Sequence, residues 1–141
     1  MYQVLYCSSG GSTKKVADAI AQELGVKAAD VNGATLDPAA KVVFLGSGRY
    51  GGLPGKAMME FMAANDFNGR KVAFFGTCWF LRLNAKREAW GTTEAMEKKG
   101  ATVLGSYHCR GKTFYVFNRG HPDRDEVDGA KKFAREMAKL G

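Results

Sequence analysis

The sequence predicts a single doubly wound α/β domain over residues 1–141, with a five-stranded parallel sheet in the order 2-1-3-4-5 and helices on both faces. Short apolar runs alternate along the chain with segments of helical periodicity, the pattern of α/β domains. The apolar runs are largely continuous, as in parallel strands that are covered on both faces. For five strands in 141 residues, the order 2-1-3-4-5 is the natural arrangement. A composition of 45% hydrophobic and 25% charged residues supports one buried core.

Five segments have the length and composition of buried strands. Each is short and apolar, with β-branched or aromatic residues that favour extended structure. The second segment carries the weakest signal. In chain order, the predicted strands cover residues 3–7, 26–31, 42–46, 72–76 and 102–107.

The first two helices follow strands 1 and 3. In the first, apolar residues recur at 3.6-residue spacing over 16–24, and Gly25 provides the stop. In the second, apolar residues line one side over 57–62, and Pro54 helps to begin the helix. Both therefore serve as crossovers that return the chain to the start of the next parallel strand.

The third and fourth helices follow strands 4 and 5. The third is predicted over 86–99, although Gly91 weakens it. The fourth is predicted from about 123 to 140, opened by Pro122 and Asp123. Its acidic first turn and its lysines near the end suit the helix dipole. Trp90 falls within the third helix, where packing under the sheet accounts for it.

The charge balance is strongly positive. Lys and Arg number 21 against 14 Asp and Glu, a formal charge of +7, which suits a nucleic acid, an anionic membrane or an acidic protein. Neither an RNA-binding aromatic signature nor a helix-turn-helix accompanies the charge. No apolar stretch reaches the roughly 18 residues of a membrane span. We therefore expect no nucleic-acid binding and no membrane insertion; ordinary surface charge is the simplest interpretation.

The cysteines and the N-terminus indicate the compartment. Cys7, Cys78 and Cys109 are odd in number and form no CxxC, which argues against a disulfide framework and a zinc site. The chain enters a strand at once, without the basic flank and cleavage site of a signal peptide. We expect a cytoplasmic, monomeric protein with reduced thiols and no metal. Because Cys78 and Cys109 follow neighbouring strands, a redox pair between them is a further hypothesis.

The turn between strand 1 and helix 1 is the strongest functional signal. It consists of Ser8, Ser9, Gly10, Gly11, Ser12 and Thr13. A turn rich in glycine and hydroxyl groups at a helix N-terminus offers N–H groups and the positive end of the dipole to an anion. The P-loop signature is absent, because Lys14 and Lys15 follow Thr13 instead of preceding it, and G-x-G-x-x-G is absent too. The turn therefore predicts a monophosphate ligand rather than ATP or NAD.

Two further loops complete the predicted site. Ligands of doubly wound sheets bind outside the carboxyl ends of the strands, near the switch between strands 1 and 3. The candidate residues there are Ser47, Gly48, Arg49, Tyr50, Gly51 and Gly52 after strand 3, and Thr77, Cys78, Trp79 and Phe80 after strand 4. Aromatic residues on two neighbouring loops, beside a phosphate-binding turn, indicate a planar ring with a phosphate tail. FMN has this shape.

Over essentially its whole length the chain resembles the short-chain flavodoxins, the FMN-binding flavodoxin-like family. Their phosphate loop runs [ST]-x-T-G-x-T, and residues 8–13 fit it. The resemblance implies that Tyr50 covers one face of the flavin, and that the Gly51 peptide can hydrogen-bond the reduced ring. It also implies that Trp79 or Phe80 stacks on the other face, without deciding which. The sequence around 121–123 is similar to the entry of the family's last helix.

The chain departs from the family pattern in two respects. Gly10 stands where the family usually has Thr, so one hydroxyl is missing from the predicted phosphate cradle. Flavodoxins are usually acidic, whereas this chain carries Arg49 in the second loop and Arg110, Lys112 and Arg119 after strand 5. Positive charge near the flavin stabilises its reduced anion and favours an acidic redox partner.

Three functions fit these observations. The first is a flavodoxin-type electron-transfer protein that binds FMN. The second is an FMN-dependent oxidoreductase acting on a quinone or a protoporphyrinogen-like molecule, with Arg49 holding an anionic substrate. The third is a flavin-free basic binding module on the same fold. No nucleophile–base–orienter triad is apparent in the sequence, so no catalytic residue is predicted.

Overall fold

The computed structural model describes residues 1–7, 11–48, 56–78, 94–110 and 124–141. The strands are β1 (Tyr2–Cys7), β2 (Ala28–Asp30), β3 (Val42–Gly48), β4 (Lys71–Cys78) and β5 (Thr102–Arg110). The helices are α1 (Ser12–Leu24), α2 (Lys56–Ala64), α3 (94–98) and α4 (Arg124–Leu140). All strand pairs are parallel, and the order is β2-β1-β3-β4-β5. The predicted fold class is confirmed.

The strands nearest the predicted site are longer than expected. β3 continues past Gly46 to Gly48, and β4 continues past Gly76 to Cys78. The expectation that Ser47, Gly48, Thr77 and Cys78 lie in loops was therefore wrong. The reason is ladder pairing: Gly48 pairs with Thr77, and Thr77 pairs in turn with β5. Pairing with the neighbouring strand outweighs the weak strand preference of Gly48.

The structure also corrects the position of the cysteines after β4 and β5. Cys78 is the last residue of β4, and Cys109 lies inside β5. In the register, Cys78 pairs with Arg110 while Cys109 pairs with Thr77. The ladder therefore does not place the two cysteines opposite each other, and strand pairing gives no support to a redox pair.

The C-terminal end of α1 agrees with the cap expected from the sequence. α1 ends at Gly25, whose φ of 73° is left-handed. The N–H of Val26 donates to the carbonyl of Ala21 at 2.9 Å, and that of Gly25 to Gln22 at 3.3 Å, which together form a Schellman motif. α2 and α4 were predicted correctly within the described residues. The expected openers Pro54, Pro122 and Asp123, and most of the third predicted helix with Trp90, lie outside them.

The sheet has an apolar layer on each face. Alternate strand residues divide between the layers: Val4, Phe44 and Phe75 pack with α1 and α4, whereas Leu5, Leu45 and Phe74 pack with α2 and α3. The continuous apolar runs of the sequence follow from this double burial. Among the described residues, no helix has the length and apolar character needed to cross a membrane.

A β-bulge in β5 sets which face its second half presents. Val72 pairs with Val103, but the next residue of β4 pairs with Gly105, so Leu104 is the extra residue. Val103 packs with the α2 and α3 layer, while Tyr107 packs with the α1 and α4 layer. In a regular strand of the same sequence, positions 103 and 107 would share a face, because side chains alternate along a strand.

Tyr107 joins β5 to the beginning of α4. Its hydroxyl donates to the carbonyl of Glu126 at 2.6 Å, and its ring stacks on Phe133 with centroids 5.8 Å apart. Gly129 makes room for this ring, since a Cβ added there would lie 2.5 Å from the Tyr107 hydroxyl oxygen. The glycine in mid-helix is therefore explained by the tyrosine beside it.

Gly129→Ala should lower the free energy of unfolding by about 1 to 3 kcal/mol, the usual cost of overpacking. Alanine improves helix propensity by about 1 kcal/mol, but Tyr107 is held by its hydrogen bond and by Phe133 and cannot move aside freely. Denaturant unfolding measures the change. The same substitution should cost less in a Tyr107→Phe background, because the hydroxyl oxygen is then gone. An equal cost in both backgrounds would contradict this account.

Candidate functional site

The carboxyl ends of four strands form a stepped edge. Cys7, the last residue of β1, pairs with Ser47, and the same row continues through Gly76 to His108. β3 continues one row beyond this one, and β4 and β5 continue one row beyond β3. The edge therefore rises from β1 toward β5. The lowest step lies at β1, where the chain turns toward α1.

The first turn of α1 has the features of an anion site. Gly11 is the N-cap with a left-handed φ of 84°, so the cap residue has no side chain of its own, and no acidic residue occupies the first turn. Among the described residues, no atom lies within 4 Å of a Cβ added at Gly11. The N–H groups of a first turn lack partners within the helix, and its dipole favours negative charge.

Thr13 and Ser47 are the two buried polar residues among those described, with 1% and 3% of their surface exposed. Both make polar or electrostatic interactions within the protein. Thr13 belongs to the first turn of α1, and Ser47 lies on β3 in the row of Cys7. Their burial at the carboxyl edge is unusual for hydroxyl side chains; their role as site residues stays a prediction.

Lys14, in the first turn of α1, forms an ion pair with Asp18. Its Nζ lies 2.9 Å from Oδ2 of Asp18, and both side chains are about half exposed. The hydrogen bond with Asp18 and the charge of that carboxylate raise the pKa of Lys14, with a smaller contribution from Tyr6. The ammonium group therefore stays charged throughout the physiological range.

Part of the predicted site is brought together at this edge. The described members are Gly11, Ser12 and Thr13 at the start of α1, Ser47 and Gly48 at the end of β3, and Thr77 and Cys78 at the end of β4. The remaining predicted members lie outside the described residues: Ser8, Ser9, Gly10, Arg49, Tyr50, Gly51, Gly52, Trp79 and Phe80. Arg110 is the last residue of β5, while Lys112 and Arg119 also lie outside.

Asp18 was missed by the sequence reasoning. Its position four residues after Lys14 is the spacing that brings two side chains together on a helix surface. That spacing is visible in the sequence, but a solvated helix face explains such a pair equally well. Only the distance between the two groups shows that the acidic residue holds the lysine of the first turn.

Sequence comparison with known proteins identifies a family model and a similar protein. The family model described as the flavodoxin domain matches residues 3–121. An uncharacterized protein of Methanocaldococcus jannaschii is 27% identical over 137 residues, covering 91% of each chain.

Solved flavodoxins share the fold. Flavodoxin 2 from Bacillus cereus superposes with a TM-score of 0.75 at 22% identity, covering 99% of both chains. A flavodoxin from the domain Archaea superposes with a TM-score of 0.73 at 20% identity, covering 99% of this chain and 96% of the other. Because the family model spans most of the sequence and the sheet has the same order, the chain belongs to the flavodoxin domain family.

Proposed function

We propose that this flavodoxin-domain protein binds FMN and transfers electrons between other redox proteins. The observation that carries the proposal is the start of α1: a helix N-terminus at the carboxyl edge of the sheet, with glycine as its cap residue and no acid in its first turn. In a doubly wound sheet this edge is where ligands bind. The membership in the flavodoxin family supports a flavin as that ligand.

The described residues fit the phosphate end of FMN. The first turn of α1 offers N–H donors and a positive dipole end, and the nearby cation of Lys14 adds to the potential. The hydroxyl of Thr13 adds a donor type that suits phosphate oxygens. The residues at the ends of β3 and β4 are small, including Gly48 and Gly76. Small residues leave backbone groups accessible to a ligand.

Each part of the chain then has a distinct task. The first turn of α1 and the turn before it bind the phosphate, and the ends of β3 and β4 support the ring. By the resemblance, Tyr50 and either Trp79 or Phe80 cover the ring faces and exclude water. When bound, FMN supplies the redox chemistry, while the protein supplies binding, orientation and electrostatics. No residue of the chain is assigned to catalysis.

An acidic redox protein is the partner we propose. The strands β3, β4 and β5 end at the carboxyl edge and are followed by segments 49–55, 79–93 and 111–123. These segments contain six Lys or Arg residues and two acidic ones, more than half of the net charge of +7. A positive surface beside the cofactor would attract an acidic partner and speed its approach. The carrier needs no second copy for this role, and we propose a monomer.

The apoprotein should bind FMN more tightly than riboflavin or FAD, because the start of α1 favours a terminal phosphate. Thr13→Val should weaken FMN binding by about tenfold or more, the effect of losing a hydrogen bond to a charged group. Thr13→Ser keeps the hydroxyl and should retain most of the affinity. Titration of the apoprotein, monitored by the quenching of flavin fluorescence, measures the affinity for each of the three ligands.

The ligand series separates the functions that the sequence left open. Equal affinity for riboflavin and FMN would remove the phosphate argument, and failure to bind any flavin would favour the binding module. If FMN binds, steady-state turnover with a quinone tests the oxidoreductase. Rapid single-electron exchange with a redox protein, without such turnover, is the result expected for a carrier.

A further inference from the structure

Lys14 occupies a position that the stability of α1 does not explain. It is in the first turn, where the helix dipole disfavours cations, and that turn has no acidic residue to offset it. Its partner Asp18 comes four residues later. This order, with the cation N-terminal to the acid, is the less favourable one for a helix. An anion in front of the helix would make a cation at this position favourable.

The reach of the lysine allows two partners. Lys14 is the third residue of α1, and the helix rises only about 1.5 Å per residue. A flexible four-carbon stem can therefore place the ammonium group either beside Asp18 or before the first turn. Both side chains of the pair are about half exposed, and exposed pairs of this kind are weak enough to exchange partners.

We propose that Lys14 adds to the selectivity of this site for a dianionic phosphate, and that Asp18 moderates the contribution of Lys14 by competing for the ammonium group. The inference rests on the proposed binding of FMN. Asp18 acts in two ways, because it neutralises the cation and places a negative charge on the same flank of α1. Removing the charge of Lys14 should therefore weaken phosphate binding, whereas removing the charge of Asp18 should strengthen it.

The test compares FMN with riboflavin in two variants at low ionic strength. Lys14→Gln should weaken FMN binding about two- to fivefold, the range expected for one charge near a helix terminus. Asp18→Asn should tighten FMN binding by a similar factor. Neither change should alter riboflavin binding. In the double variant the benefit of Asp18→Asn should largely disappear, because the lysine through which it acts is gone.

Salt and position provide the controls. The differences between variants should shrink at 1 M salt, where the screening length is about 3 Å. Lys41→Gln makes the same charge change at the opposite, amino edge of the sheet, where Lys41 precedes β3 and is exposed. It should leave the ratio of FMN to riboflavin affinity unchanged. A Lys41→Gln effect as large as that of Lys14→Gln would show that net charge alone is acting.

Two outcomes would overturn the inference. One is an unchanged FMN affinity in Lys14→Gln; the other is weaker FMN binding in Asp18→Asn, which would mean that the pair acts through the stability of α1. Thermal melting of the apoprotein in phosphate or chloride of equal ionic strength gives a second readout. Phosphate should stabilise the wild type more than Lys14→Gln. This measurement tests Lys14 even if FMN does not bind, so failure of the proposed function is distinguishable.

Discussion

Gly46→Ala is expected to lower the free energy of unfolding by about 3 kcal/mol, at the upper end of overpacking effects. A Cβ at this position would lie 1.9 Å from Cε2 of Phe75 and within 2.4 Å of two further ring atoms. The Phe75 ring is fully buried, and close-packed interiors leave no space into which it could move. Chemical denaturation of the apoprotein measures the loss.

The control for this prediction is a substitution of Phe75, the residue that pairs with Gly46 across β3 and β4. Phe75→Leu should be destabilising by itself, because it removes buried surface. Combined with Phe75→Leu, however, Gly46→Ala should cost much less, since the smaller side chain vacates the space above the β3 backbone. Additive effects of the two substitutions would contradict a direct steric conflict.

The second large effect concerns the rate of electron exchange. Lys56 and Arg124 are exposed first residues of α2 and α4, so both lie at the carboxyl edge. Replacing both by Glu should slow electron exchange with a ferredoxin of net negative charge by about tenfold at low ionic strength, within the range of electrostatic steering. The difference in rate between this variant and the wild type should become smaller toward physiological salt, where the screening length is about 8 Å. Stopped-flow mixing at several salt concentrations measures the bimolecular rate constant.

The matched control reverses two charges at the amino edge of the sheet, opposite the carboxyl edge. Lys27 and Lys41 are exposed and precede β2 and β3. Replacing both by Glu changes the net charge equally but should leave the rate nearly unchanged. A cytochrome c of net positive charge should respond in the opposite direction to the variant at the carboxyl edge. Equal slowing by both double variants, or no response in either, would argue against a basic docking edge.

The fold was predictable because local and global signals agree. Continuous apolar runs indicated strands buried on both faces, and the left-handed Gly25 ends α1 where the sequence suggested. The ends of β3 and β4 were not predictable from local composition. Their last residues are extended through pairing with neighbouring strands, and such long-range hydrogen bonds leave no mark on short-range propensity.

The position of the turn that leads into α1 was predictable, whereas its binding of phosphate stays a prediction. A glycine and hydroxyl-rich turn before an amphipathic helix pointed to Gly11 and Thr13, and the structure places them at the carboxyl edge. The hold of Asp18 on Lys14 could not be foreseen, because i,i+4 pairs of opposite charge are common on any solvated helix. A distance was needed to distinguish a defined partner from a coincidence of spacing.

The bulge at Leu104 makes β5 sensitive to changes in length. Deleting Leu104 would leave Val103 opposite Val72 and Tyr107 opposite Phe75. Inserting one residue between Gly105 and Tyr107 would instead turn Tyr107 from the α4 side of the sheet to the α2 side, because strand side chains alternate with a period of two. The hydrogen bond from Tyr107 to Glu126 and the stacking on Phe133 would both be lost. Substitutions within this strand change one contact at a time, whereas a single insertion after Gly105 would invert the strand from that point onward. Leu104 thus absorbs the one residue by which β5 exceeds its partner strand, and the bulge keeps the end of β5 facing the last helix.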